Sequence, residues 1–107
     1  MLVDTGIAIG LPRETYSRLA ARKGIASKHG IAVGGGVIDA DYTDEIKVIL
    51  LNHGNTSYEF KGCDRISQLI EYTSKHTMSS KSITLKTWEG KLGDWALVIW
   101  SQTANYV

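Results

Sequence analysis

The stretch Gly34-Gly35-Gly36-Val37-Ile38-Asp39-Ala40-Asp41-Tyr42 gathers the residue types best able to do chemistry in this chain. Consecutive glycines let a backbone approach a ligand closely, or adopt positive φ without steric cost. Asp39 and Asp41 are two apart, so an extended segment would carry both carboxylates on one face. Tyr42 follows, with a flat ring able to lie against a base or a sugar. Such a segment could read a base with main-chain groups while one carboxylate activates a water. It could equally be a glycine-rich hairpin with an exposed acidic rim.

Arg22-Lys23-Gly24 sets two cations beside a glycine, which suits a phosphate cradle of side-chain charge and backbone N–H groups, or a solvated surface turn. In Asp64-Arg65-Ile66-Ser67-Gln68-Leu69-Ile70 polar and apolar side chains alternate. This alternation turns Gln68 inward, where its amide needs a partner. His29, His53 and His76 have no metal-ligand spacing, and Cys63 has no activating neighbour, so no metal-binding residue and no reactive thiol is assigned.

The elements that must position these residues are strands. Val3, Thr5, Ile7, Ile9 and Leu11 share one parity, as do Ile46, Val48 and Leu50, and period two marks strands. Turn residues separate them at 52–55, 61–64 and 89–94. Many short strands predict a β-sandwich or barrel. Arg13 to Arg22 departs from the pattern, since its composition alone favours helix. Thr73 to Ser82 reads as a loop, with strands at Ile83–Trp88 and Trp95–Trp100.

The chain has 107 residues, 43% of them hydrophobic and 21% charged, which suits one globular domain over 1–107 and excludes disorder. So short a chain is marginal alone, which favours an oligomer. Twelve Lys and Arg against eleven Asp and Glu leave a net charge of +1, without the basic excess of a nucleic-acid binder. A single cysteine excludes an internal disulfide. The longest apolar run, Trp95 to Trp100, is too short to cross a bilayer, and no signal peptide precedes the first strand. A soluble cytoplasmic or nuclear protein is expected, with neither membrane nor nucleic acid as partner.

Three stretches together, Arg22 to Ala26, Lys28 to Tyr42 and Lys61 to Ile70, resemble consecutive motifs of the homotrimeric dUTPases, with order and spacing intact. The resemblance runs from residue 2 to residue 72, leaving 73–107 as a divergent tail. It implies an all-β jelly roll (β-clip), a homotrimer with sites between subunits, and Mg²⁺-dependent hydrolysis of dUTP to dUMP and pyrophosphate. By position, Asp39 would activate the attacking water. Gly36, Val37 and Ile38 would read uracil through their main chain, and Tyr42 would pack on the deoxyribose. Arg22, Lys23, Gly24 and Gln68 would take the phosphates from a neighbouring subunit. The resemblance also replaces the helix expected at Arg13–Arg22 by a strand and a loop.

Departures accompany the match. Lys23 stands where the family has a serine, Cys63 where it has a turn glycine, Asp44 where it usually has glycine and Ala32 where it commonly has aspartate. The chain begins just downstream of the family's Ala-Gly-Tyr-Asp-Leu type motif, whose aspartate helps hold the metal. Residues 73–107 contain no Arg-Gly-x-Gly-Gly-Phe-Gly arm. Each loss weakens charge neutralisation at the phosphates, so hydrolysis is expected to be weak or lost. The alternatives are a non-catalytic trimeric nucleotide- or protein-binding module, and a relic that keeps the fold alone.

Overall fold

The computed structural model of the chain describes residues 1–73, 84–87, 97–102 and 105–107. In chain order the elements are β1 (Leu2–Asp4), β2 (Ile7–Gly10), β3 (Thr15–Ala20), α1 (Lys23–His29), β4 (Ile31–Gly34) and β5 (Val37–Asp39). They continue with β6 (Lys47–Asn52), β7 (Glu59–Phe60), β8 (Arg65–Thr73), β9 (Thr84–Thr87), β10 (Leu97–Trp100) and β11 (Asn105–Tyr106). One sheet has the order β1-β6-β4 and another the order β10-β8-β3-β5; β2 pairs with β9 and β7 with β11. All strand pairs are antiparallel. The described chain is thus all-β apart from one short helix, as the jelly-roll expectation requires.

The inward rows of the two larger sheets share one core. Val3, Val48, Leu50 and Ile31 come from the three-stranded sheet, and Leu19, Ile38, Leu69 and Ile99 from the four-stranded one. Burying side chains of this size is worth about 1.5–3 kcal/mol apiece, so the alternation is the main force holding the sheets face to face. The period-two expectation is met at Ile46, Val48 and Leu50, all buried, and at Val3, Thr5 and Ile9. Thr5 Oγ1 donates to the Ile46 carbonyl at 2.6 Å, tying the two segments together.

Residues 15–20 form a strand, not the helix their composition favours. Thr15, Ser17 and Leu19 are buried beneath the sheet while Arg18 is exposed, and β3 is flanked by β5 and β8. Cross-strand pairing on both sides outweighs a helix preference of a few tenths of a kcal/mol per residue. The helix lies further on, at Lys23–His29, where the sequence had suggested none. Its C-terminus is closed by Gly30 at φ +70°, whose N–H returns to the Ala26 carbonyl at 3.0 Å. A Cβ at Gly30 would stand 2.8 Å from the Gly54 nitrogen, so that position needs glycine twice over.

The last segments are stitched into the body. β10 pairs with β8 and buries Ile99 completely. Ser101 Oγ donates to the Lys61 carbonyl, and Tyr58 and Val107 exchange backbone hydrogen bonds. The strands expected at Ile83–Trp88 and Trp95–Trp100 are seen at 84–87 and 97–100; of the loop expected at Thr73–Ser82, Thr73 belongs to β8 instead, and residues 74–82, like Trp88 and Trp95, lie outside the described residues.

Candidate functional site

The three glycines do not form a hairpin. β4 belongs to the three-stranded sheet and β5 to the four-stranded one, so Gly34-Gly35-Gly36 carries the chain from one layer to the other. Gly35 and Gly36 take φ of +61° and +98°, and a Cβ on Gly36 would sit 2.6 Å from the Leu19 carbonyl oxygen. Only glycine allows that approach, and it lets the Leu19 N–H donate to the Gly36 carbonyl at 2.8 Å.

That bond sets the polarity of β5. Gly36 and Leu19 form a hydrogen-bonded pair, and such pairs alternate along an antiparallel ladder. Ile38 therefore bonds across to Ser17, while Val37, opposite Arg18, turns its N–H and C=O away from β3. Among the described residues β5 is the edge of its sheet, so this donor and acceptor meet no neighbouring strand. The Val37 side chain is exposed and that of Ile38 is buried.

Asp39 ends β5 with an exposed side chain that has no hydrogen-bond or ion-pair partner among the described residues. Its carbonyl accepts from the Tyr42 N–H at 3.1 Å, so the chain turns there. Asp41 sits in that turn and does not continue the strand, which removes the expectation that the two carboxylates share an extended face. The Tyr42 hydroxyl donates to the Glu45 carbonyl at 2.7 Å, which pins the ring at the rim with 40% of the residue exposed. Asp39 stands across the ladder from Tyr16, whose ring stacks on Tyr72 at 5.1 Å.

Arg22, Lys23, Gly24 and Gln68 line one cavity of about 600 Å³. The expectation that Gln68 faces the core is corrected. β8 carries a bulge opposite Ile99–Trp100, so Ile66 and Ser67 are both buried and Gln68 turns to the outer face. Its Nε2 finds a partner there in the Ala21 carbonyl at 3.1 Å, leaving one amide N–H for a ligand. The same wall includes Lys28, His29 and Arg65, which sequence reasoning did not assign. The available signal was Lys28-His29 just before the helix-ending Gly30.

The two groups are not brought together within one chain. Asp39 lies opposite Tyr16 and Gln68 opposite Ala20, four residues along β3 and two strand spacings across. Strand geometry puts the backbones of Asp39 and Gln68 about 17 Å apart, farther than a triphosphate chain reaches by itself. Among the described residues no three His, Cys, Asp or Glu side chains come together as a metal site. Asp39 alone does not fit a resident Mg²⁺, which wants several oxygen ligands in octahedral geometry.

The described chain is thus an all-β domain with a sheet edge at β5 and a separate cavity lined by basic side chains. The family model described as dUTPase matches residues 1–93, and the chain belongs to the dUTPase family. That match runs past the stretch ending at residue 72 that carried the resemblance. The deoxyuridine 5'-triphosphate nucleotidohydrolase of Candida albicans is 55% identical over 69 residues, covering 64% of this chain and 43% of that protein. Its namesake from Arabidopsis thaliana is 52% identical over 69 residues, covering 64% and 42%. A probable deoxyuridine 5'-triphosphate nucleotidohydrolase of Schizosaccharomyces pombe is 51% identical over 70 residues, covering 65% and 50%. The chain spans about half the length of these relatives or less.

Proposed function

We propose that this chain binds deoxyuridine nucleotides in sites shared between the subunits of a homotrimer, and that it hydrolyses dUTP to dUMP and pyrophosphate slowly or not at all. The observation that carries the shared site is the separation of Asp39 from the basic cavity of its own chain. One nucleotide can meet both groups when a second copy supplies the cavity. The exposed apolar row Leu2, Ile49 and Leu51 on the outer face of the β1-β6-β4 sheet supports association, since such patches are costly in water.

In this reading the Val37 N–H and C=O meet the uracil edge, and Gly36 and Ile38 hold that edge in register. Tyr42 lies against the deoxyribose, where a 2′-hydroxyl would clash. Asp39 holds the attacking water beside the first phosphorus and accepts its proton. Arg22, Lys23, Gly24 and Gln68 of a second copy hold the phosphates. No residue of this chain is assigned to Mg²⁺, which would supply charge neutralisation at the phosphates if the nucleotide carried it. Slow turnover follows from Lys23, which keeps phosphate attraction but lacks the compact hydroxyl of a serine.

The non-catalytic binding module is the second reading, and the lysine at position 23, where the resemblance leads one to expect a serine, favours it. Pyrophosphate release from dUTP, measured with Mg²⁺ and with Asp39→Asn beside the parent, separates the two. Release that is lost in the variant supports slow hydrolysis; no release with preferential dUMP binding supports the module. Equal affinity for dUMP and UMP, or a monomeric mass by light scattering, refutes the shared nucleotide site.

A further inference from the structure

The cavity beside α1 holds more positive charge than its four expected residues bring. Arg22, Lys23, Lys28 and Arg65 are four of the chain's twelve Lys and Arg, His29 is a fifth basic side chain, and no carboxylate lines the wall. In a chain of net charge +1 this is a marked concentration. None of the four cations pairs with a carboxylate among the described residues, whereas Lys47 is engaged by Asp4 and Glu45.

Two features of the fold deliver the extra charges. α1 carries Lys23 at its start and Lys28 in its last turn, five residues and about 7.5 Å apart along the axis. The bulge in β8 delivers Arg65. With Ile66 and Ser67 both turned inward, Arg65 and Gln68 share the outer face at a spacing of three; regular alternation would have put Arg65 on the core face with Ser67 and Leu69. Bulges of this kind re-aim side chains beside binding sites.

A single phosphate can neutralise only one end of such an array, while a condensed chain of two or three phosphoryl groups reaches along it. We propose that Lys28 and Arg65 extend the phosphate cradle so that the cavity selects chains of two or more phosphoryl groups over one, within a single chain and with no nucleoside attached. This rests on the reading of Arg22, Lys23, Gly24 and Gln68 as phosphate ligands. Lys28 and Arg65 set the length of chain that is held. Both are exposed, so their contribution weakens with ionic strength.

The test is calorimetric titration of the full chain with pyrophosphate, tripolyphosphate, orthophosphate and sulfate at low salt, without metal. Pyrophosphate and tripolyphosphate should bind about tenfold more tightly than orthophosphate or sulfate. Lys28→Ala and Arg65→Ala should each weaken pyrophosphate by about three- to tenfold and leave orthophosphate within about twofold. Lys61→Ala removes an exposed charge outside the cavity and should change neither. Lys28→Glu serves as a second variant on the helix, where no strand pairing is at stake, and should abolish the chain-length preference. Equal affinity for pyrophosphate and orthophosphate overturns the proposal, as does an unchanged preference in Lys28→Glu or an equal loss in Lys61→Ala. Preference for dUMP over UMP would be set at Tyr42, where the 2′-hydroxyl would clash. Its persistence without chain-length selection refutes this proposal alone, and its absence with selection intact refutes the deoxyuridine reading alone.

Discussion

Replacing the three glycines one at a time by alanine should give sharply unequal losses of stability. At Gly35 the backbone is left-handed at φ +61°, but an added Cβ meets only Ile49 Cδ1 at 3.8 Å, an ordinary contact. An L-residue there costs about 1–2 kcal/mol. Alanine recovers about 0.4–1 kcal/mol by restricting the unfolded chain. The net loss is about 1 kcal/mol. At Gly36 φ is +98° and the Cβ would stand 2.6 Å from the Leu19 carbonyl oxygen. Backbone strain costs about 1–3 kcal/mol. Moving β5 aside also breaks the 2.8 Å bond from the Leu19 N–H, at about 1–3 kcal/mol. After the same recovery, about 3 kcal/mol is lost from a domain whose total is about 5–15 kcal/mol. Gly34 has no positive φ, and its Cβ would press on Ile49 Cγ2 at 3.2 Å and Leu51 Cδ1 at 3.4 Å; both side chains stand on the exposed outer face and can shift, so that variant should lie nearest the parent. Urea unfolding followed by tryptophan fluorescence, at one fixed protomer concentration, measures all three. If Gly36→Ala falls within about 0.5 kcal/mol of Gly35→Ala, β5 is not locked to β3 as described, and the open edge at Val37 loses its basis.

Cys63 occupies a left-handed position at φ +71°, and its N–H donates to the Ser101 carbonyl, so Cys63→Gly should stabilise by about 0.5–1 kcal/mol. Equal stabilisation by Cys63→Ala in the same urea assay would show that the thiol, not the backbone, is at fault. Ser17 Oγ is fully buried with no partner among the described residues, whereas Ser67 Oγ donates to the Ala20 carbonyl at 2.9 Å. Thermal melts should therefore find Ser17→Ala neutral or slightly stabilising and Ser67→Ala destabilising by about 1 kcal/mol; the reverse order would contradict the packing. Burial raises the Glu71 carboxyl above the ordinary glutamate range. The native state then binds more protons than the unfolded chain across that interval, so stability falls as pH rises through it, with no penalty below the unfolded value. Glu71→Gln should flatten that part of the profile, and an unchanged slope in pH-dependent urea midpoints would exclude Glu71 as its source.

Much of the strand pattern could be read locally because it is a local property. Ile46, Val48 and Leu50 alternate because one face of β6 meets the core, and any pairing that buries that face preserves the period. The turn at Cys63 and the need for glycine near Gly36 were equally legible, since both express backbone conformation at single residues. The order and spacing of the three motifs carry the family resemblance in the sequence itself.

What the sequence alone determined, then, was the all-β class, the family, and which residues of 22–24 and 36–42 are candidates for binding. Tertiary structure decided the rest, because it turned on partners distant in the chain. Residues 15–20 became a strand since β5 and β8 pair with both edges, which composition within Arg13–Arg22 cannot register. Gln68 faces outward and joins Arg65 because β8 bulges opposite Ile99–Trp100, about thirty residues away. The convergence of Lys28 on the same cavity depends on a helix at Lys23–His29 that the sequence reading did not include. Period-two patterning says which side chains share a face only while the register is unbroken, and a bulge is a property of two strands, not one.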